Sequence, residues 1–176
     1  LERALKINEK SFGPDHPVTG HTLTGLGNAY GGLEDFKKSK ELLERALKIN
    51  EKSFGPDHPV TGHTLTVLGT AYCGLEDFKK QKELLERALK INEKSFGPDH
   101  PATGGTLLQI SQLHGYLGNL QVALENTEQA YKIFLNDPDY GPNHPKTKNI
   151  FETIETLKKS KKGLLYRILH WVGWLL

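Results

Sequence analysis

The sequence predicts an all-α fold, a solenoid of antiparallel helix pairs, and three observations carry that reading. The stretch "LERALKINEKSFGPDHP" occupies residues 1–17, 43–59 and 85–101 without a substitution, a period of 42 residues. Self-similarity at a period of this size is the signature of stacked structural units. Each unit holds two helix-length apolar stripes separated by turns bearing glycine and proline. Neither stripe can be buried within its own helix, so every unit must lean on its neighbours.

The opening residues, 1–12, have the pattern of a second helix belonging to a truncated preceding unit, and we read the chain as part of a longer protein. They lack the charged-then-apolar order of a signal peptide. Pro17 begins the first complete pair, a position where proline suits a first helical turn, with Asp15 or His16 placed to cap the free amides. Leu23, Leu26 and Tyr30 follow at i, i+3 and i+7, on one face. Gly31-Gly32 is expected to end this helix.

A longer pattern starts near Glu34, with Phe36, Leu43, Ala46, Leu47, Ile49 and Phe54 expected inside and Lys37, Lys38, Lys40, Glu41, Glu44 and Lys48 in water. Gly55-Pro56 stops it. The same logic gives three pairs over 17–136, at 17–54, 59–96 and 101–136. A degenerate terminal helix follows at 144–159, then an apolar cap or anchor helix at 163–176. Between Ile133 and Gly141 there are eight positions where Ile49 to Gly55 spans six, so "LNDPDYGPNHP" carries a two-residue insertion. Beyond it, Phe151 and Ile154 are expected to share the buried face.

These motifs resemble the tetratricopeptide repeat, in the 42-residue form of kinesin light chains and related scaffold proteins. The carriers are L-x-x-L-G-x-x-Y (Leu23, Leu26, Gly27, Tyr30), Leu43, E-R-A-L-K-I (Glu44 to Ile49) and G-P-D-H-P (Gly55 to Pro59), within a match covering about residues 1–159. The third unit adds Gly118 and Ala123 where such repeats favour small residues. Ser39 and Gln81 depart from the usual alanine, which implies looser packing there. The resemblance implies a right-handed superhelix whose first helices line a concave groove for a partner protein. No heptad pattern for joining a kinesin heavy chain is present in this sequence.

Residues 1–42 and 43–84 differ at four places: Gly25 to Val67, Asn28 to Thr70, Gly31 to Cys73 and Ser39 to Gln81. Three of these lie at i, i+3, i+6 on the first helix, hence on one stripe. Two readings stand: drift at tolerant positions after duplication, or a groove tuned to a ligand. The resemblance puts His21, Thr24 and Asn28, then His63, Thr66 and Thr70, then Leu108 and Gln112 on the groove floor. Tetratricopeptide domains that clamp a C-terminal carboxylate present lysine and asparagine at such places. The asparagines common in kinesin light chains are replaced here at Thr24 and Gly25 and at Thr66 and Val67. The implied ligand is an extended or helical peptide held by hydroxyls and amides.

Other chemistries fit poorly. A net charge of +2, with lysine and glutamate interleaved, offers no polybasic face for a phosphate backbone, so nucleic acid is not expected as a partner. The single Cys73 allows neither an internal disulfide nor a thiolate metal site, which suits a reducing, cytoplasmic location. His16, His58, His100 and His144 recur in every turn. Equivalent places on stacked helices stand about 8–10 Å apart, whereas zinc needs its ligands at about 2.0–2.1 Å, so a turn or capping role is expected and no metal. Cys73 and His63, the one nucleophile–base pairing on offer, are separated by about 15 Å of helical rise. No phosphate-binding loop occurs. We expect no enzyme and no cofactor.

The end differs in composition: Lys158, Lys159, Lys161 and Lys162 precede an apolar stretch containing Trp171 and Trp174. It falls short of the ~20 residues that cross a bilayer. A cap over the array, a membrane-surface anchor, and a partner-binding or non-native end all remain open. The expected function is thus a non-enzymatic protein-interaction scaffold gripping a peptide in its groove. The alternative is a structural spacer or membrane-tethering module attached through the Trp-rich tail.

Overall fold

A computed structural model describes the backbone of residues 1–172 and the side chains of residues 1–162. Among these are eight helices and no strand, and they fall into two compact units, Leu1–Pro98 and Asp99–Leu176. The first unit holds α1 (Glu2–Phe12), α2 (Pro17–Gly32), α3 (Phe36–Phe54), α4 (Pro59–Gly74) and α5 (Phe78–Phe96). The second holds α6 (Pro101–Tyr116), α7 (Leu120–Asn136) and α8 (Pro145–Val172).

In the first unit α2 packs on α1, α3 and α4, and α4 packs on α3 and α5. The close approach within a pair depends on glycine. A Cβ on Gly27 would stand 2.5 Å from Leu43, and one on Gly20 would stand 2.6 Å from the Asn50 Oδ1. With those Cβ atoms absent, Leu23 and Leu43 are both fully buried. Between pairs the lock is polar: the Asn50 side chain donates to the Thr64 hydroxyl at 2.9 Å, as Asn8 donates to Thr22 at 2.8 Å.

The turns follow one chemistry. Gly13, Gly55 and Gly97 take φ of 101°, 97° and 94°, conformations that glycine reaches without cost. In the following D-H-P segment the histidine is the N-cap. Nδ1 of His16, His58, His100 and His144 accepts from the backbone N–H two residues on, at 3.1–3.2 Å. Thr19 and Thr61 then donate to the carbonyls of Gly13 and Gly55 at 2.8 Å, closing the turn.

Several expectations for the first unit need correction. The first helix ends at Gly32, as expected, but the glycines do not supply the left-handed turn: that residue is Glu34, φ 61°, with Glu76 at φ 58° in the next repeat. Asp35 N–H to Tyr30 O and Glu34 N–H to Gly31 O, both 3.0 Å, satisfy the last carbonyls, so the hydrogen-bond pattern outweighs the strain of a non-glycine residue there. Phe54 is 42% exposed and stacks on His58 with ring centroids 4.9 Å apart, since it lies in the last turn beyond the reach of α2. Glu44 is engaged, accepting from the Tyr72 hydroxyl at 2.7 Å. Ser39 and Gln81, where looser packing was expected, are each 1% exposed, with the Gln81 side-chain oxygen buried and unpartnered.

In the second unit Ile150 and Ile154 are buried, whereas Phe151, expected inside, is 49% exposed. Among the described residues α8 packs on α7, so a single row of side chains is covered and Phe151 falls beside it, in tilted contact with Tyr131. The boundary expected between 159 and 163 is also absent, because the α8 backbone continues through Gly163 to Val172. A lone glycine without a following proline is a weak helix terminator. The side chains of 163–172 and all of 173–176, on which the cap and anchor readings depend, lie outside the described residues.

Candidate functional site

The first helices α2, α4, α6 and α8 all start at the D-H-P or N-H-P turn, so equivalent residues take equivalent positions along them. On α2, His21 and Asn28 are exposed. Thr24 is 6% exposed, its hydroxyl donating to the Gly20 carbonyl at 3.0 Å and lying 3.4 Å from the Thr64 hydroxyl. Thr24 therefore belongs to the α2–α4 packing. On α4, His63 and Thr70 are exposed and Thr66 is half-buried, donating to the Gly62 carbonyl at 3.0 Å. Desolvation and the neighbouring His21 hold the His63 pKa below its ordinary value.

In the second unit the first helices stand apart. Among the described residues no Cα of α6 comes within 8 Å of one in α8, whereas α2 and α4 touch. The gap is a trough of about 640 Å³. Leu108, Ile150 and Leu157 supply its apolar base, while Gln112 from α6 and Asn149 and Thr153 from α8 supply amides and a hydroxyl. Leu108 is half-buried and Gln112 exposed, so these two expected groove residues line one open cavity.

Tyr116, Asn149, Ile150 and Thr153 escaped the sequence reading. Comparison of the third repeat with the second gave only a weak signal, because every position from 108 to 116 differs from its counterpart at 66–74, Leu108, Gln112 and Tyr116 standing in place of Thr66, Thr70 and Gly74. Those three replacements lie at i, i+4 and i+8, on one stripe, and all three residues line the trough.

The differences between the first two units divide by location. A Cβ on Gly31 would lie 3.4 Å from the Ser39 hydroxyl, and in the next unit Cys73 is hydrogen-bonded by Gln81. Two of the four differences are thus a coupled packing pair, and Val67, in place of the exposed Gly25, packs partly buried against the core, which leaves Asn28 and Thr70 as the change exposed in both helices. Burial pushes the Cys73 thiol pKa up, which disfavours the nucleophilic thiolate. Among the described residues no three His, Cys, Asp or Glu side chains converge on a metal-sized site, and no helix is long and apolar enough to cross a membrane.

Short helix pairs, a glycine-mediated close approach within each pair, and a first-helix surface left open to solvent define a helical-repeat protein of the solenoid class. Family models described as tetratricopeptide repeat match residues 1–52, 32–80 and 82–136, and a further one matches residues 61–102. The chain belongs to the tetratricopeptide repeat family. No curated protein matches it.

Among solved structures it is similar to the Podosopora anserina putative kinesin light chain with nearly identical TPR-like repeats. The TM-score is 0.74 at 22% identity, covering 84% of this chain and 69% of that one. It is also similar to BtubC (BKLC) from P. vanneervenii, with TM-score 0.64 at 16% identity, covering 86% of this chain and 65% of that one. The chain thus spans about two thirds of the length of these kinesin-light-chain-like neighbours. Repeats of this family generally mediate protein–protein interaction.

Proposed function

We propose that the chain is a non-enzymatic interaction module that holds a partner peptide on the exposed stripe of its first helices. The binding residues are His21, Asn28, His63, Thr66, Thr70, Leu108 and Gln112, with Thr24 acting through packing beneath them. The observation that carries the proposal is the open trough between α6 and α8, lined by Leu108 and Gln112. A trough with an apolar base and amide rims suits a peptide whose side chains seek burial while its backbone seeks hydrogen bonds. The second helices, by contrast, turn lysine and glutamate outward in salt-bridged pairs such as Lys38–Glu41 and Lys80–Glu83. A cytoplasmic setting fits the lone, protonated thiol of Cys73.

The test is selection of peptides from a random display library against the parent chain, followed by affinity measurement on Asn28→Ala/Thr70→Ala/Gln112→Ala. These side chains are exposed, so thermal unfolding is expected to stay unchanged while affinity falls at least about tenfold. Unchanged affinity for every selected peptide would refute the proposal.

A further inference from the structure

We infer that the α6–α8 trough receives an uncharged, apolar peptide segment, seated with a side chain of leucine or phenylalanine size between Leu108 and Ile150. The inference rests on the peptide-binding reading and narrows it to one place and one chemistry. Among the described residues, none that lines the trough is Asp, Glu, Lys, Arg or His. In a chain that is one quarter charged, this leaves an inserted charge with no partner to offset its lost hydration. The base offers Leu108, Ile150 and Leu157, while Gln112 and Asn149, one on each wall, offer amides that both donate to and accept from a peptide backbone.

The residues that build this chemistry are new to the third and fourth units. Thr66 and Thr70 give way to Leu108 and Gln112, and Gly74 gives way to Tyr116, which is 59% exposed. The Gln112 amide donates to the Tyr116 hydroxyl at 3.3 Å, and the exposed ring at the lip of an apolar trough is a large, rigid contact of the kind that dominates peptide interfaces. The floor is already satisfied internally: Ser111 donates to the Ala123 carbonyl at 2.8 Å and lies 2.6 Å from the Thr127 hydroxyl. Recognition therefore falls to the walls and the lip.

Three pools of nonapeptides test this. One has its central five positions drawn from Leu, Phe, Ala and Asn; the others replace two of those positions by Glu or by Lys. Binding is followed by the amide NMR shifts of the full chain. The neutral pool is expected to shift α6 and α8 resonances around Gln112, Tyr116, Asn149 and Thr153, and to bind at least about tenfold more tightly than either charged pool. Tyr116→Ala should weaken it several-fold, and Gln112→Glu, at an exposed site, should reverse the preference toward the lysine pool without changing the melting temperature. Equal binding of a charged pool to the parent overturns the inference. Shifts confined to α2 and α4 overturn it while leaving the peptide-binding reading intact, and failure of all pools to bind overturns both.

Discussion

Glu34 and Glu76 hold left-handed backbone at φ 61° and 58°, and Gly118 holds the same place in the third unit at φ 75°. An L-residue pays about 1 kcal/mol or more there relative to glycine. Glu34→Gly and Glu76→Gly should therefore each raise stability by about 0.5–1 kcal/mol, read as a higher urea midpoint at unchanged slope. At Gly27 the sign reverses. Gly27→Ala places a methyl 2.5 Å from Leu43, and overpacking of this kind costs about 1–3 kcal/mol. His63 adds a pH dependence. Its folded pKa lies below the ordinary 6.5, so the unfolded chain takes up the proton first. Its contribution to stability is complete above that value and lost as pH falls through 6.5 toward the folded pKa. His21→Gln should make the acid loss shallower in a series of melts from pH 7.5 to 5.

At the scale of elements, the repeats change in pairs. The Asn50–Thr64 hydrogen bond of the first unit has its counterpart, 84 and 86 residues on, in Phe134 and Ile150, which share a buried apolar cluster. Gly69 and Leu85 likewise become Ser111 and Thr127, joined by their hydroxyls. Each pair is self-consistent and each mixed pair is not. Phe134→Asn should cost about 3 kcal/mol or more, as a buried aromatic is lost and an amide is left without a partner. Adding Ile150→Thr should recover about 1 kcal/mol through the restored hydrogen bond, a non-additivity that a double-mutant cycle measures.

For the whole molecule, the period of 42, the apolar stripes and the G-P-D-H-P turns made the helix pairs legible, because each depends on residues close in sequence. Leu108 and Gln112, which the family resemblance put on the groove floor, both line the α6–α8 trough. What local pattern could not supply was distance. The separation of α6 from α8 depends on how α8 settles on α7 after the two-residue insertion. There Tyr140 packs edge-on against Phe134 and His144 with ring centroids 4.8 Å away, and Lys146 lies over the Phe134 ring at 4.1 Å. The burial of Thr24 and the exposure of Phe151 have the same origin: they depend on how many helices cover a face, α2 having three neighbours and α8 one among the described residues.

The claim that first helices carry recognition while second helices carry only packing and solubility is tested most directly by photo-crosslinking. A selected peptide bearing benzophenone at its central residue is irradiated with the chain, and the adducts are located by mass spectrometry. The account predicts adducts on first helices, with the greatest yield at Leu108, Gln112 and Tyr116. Adducts concentrated on the lysine- and glutamate-bearing faces of α3, α5 or α7 would contradict it.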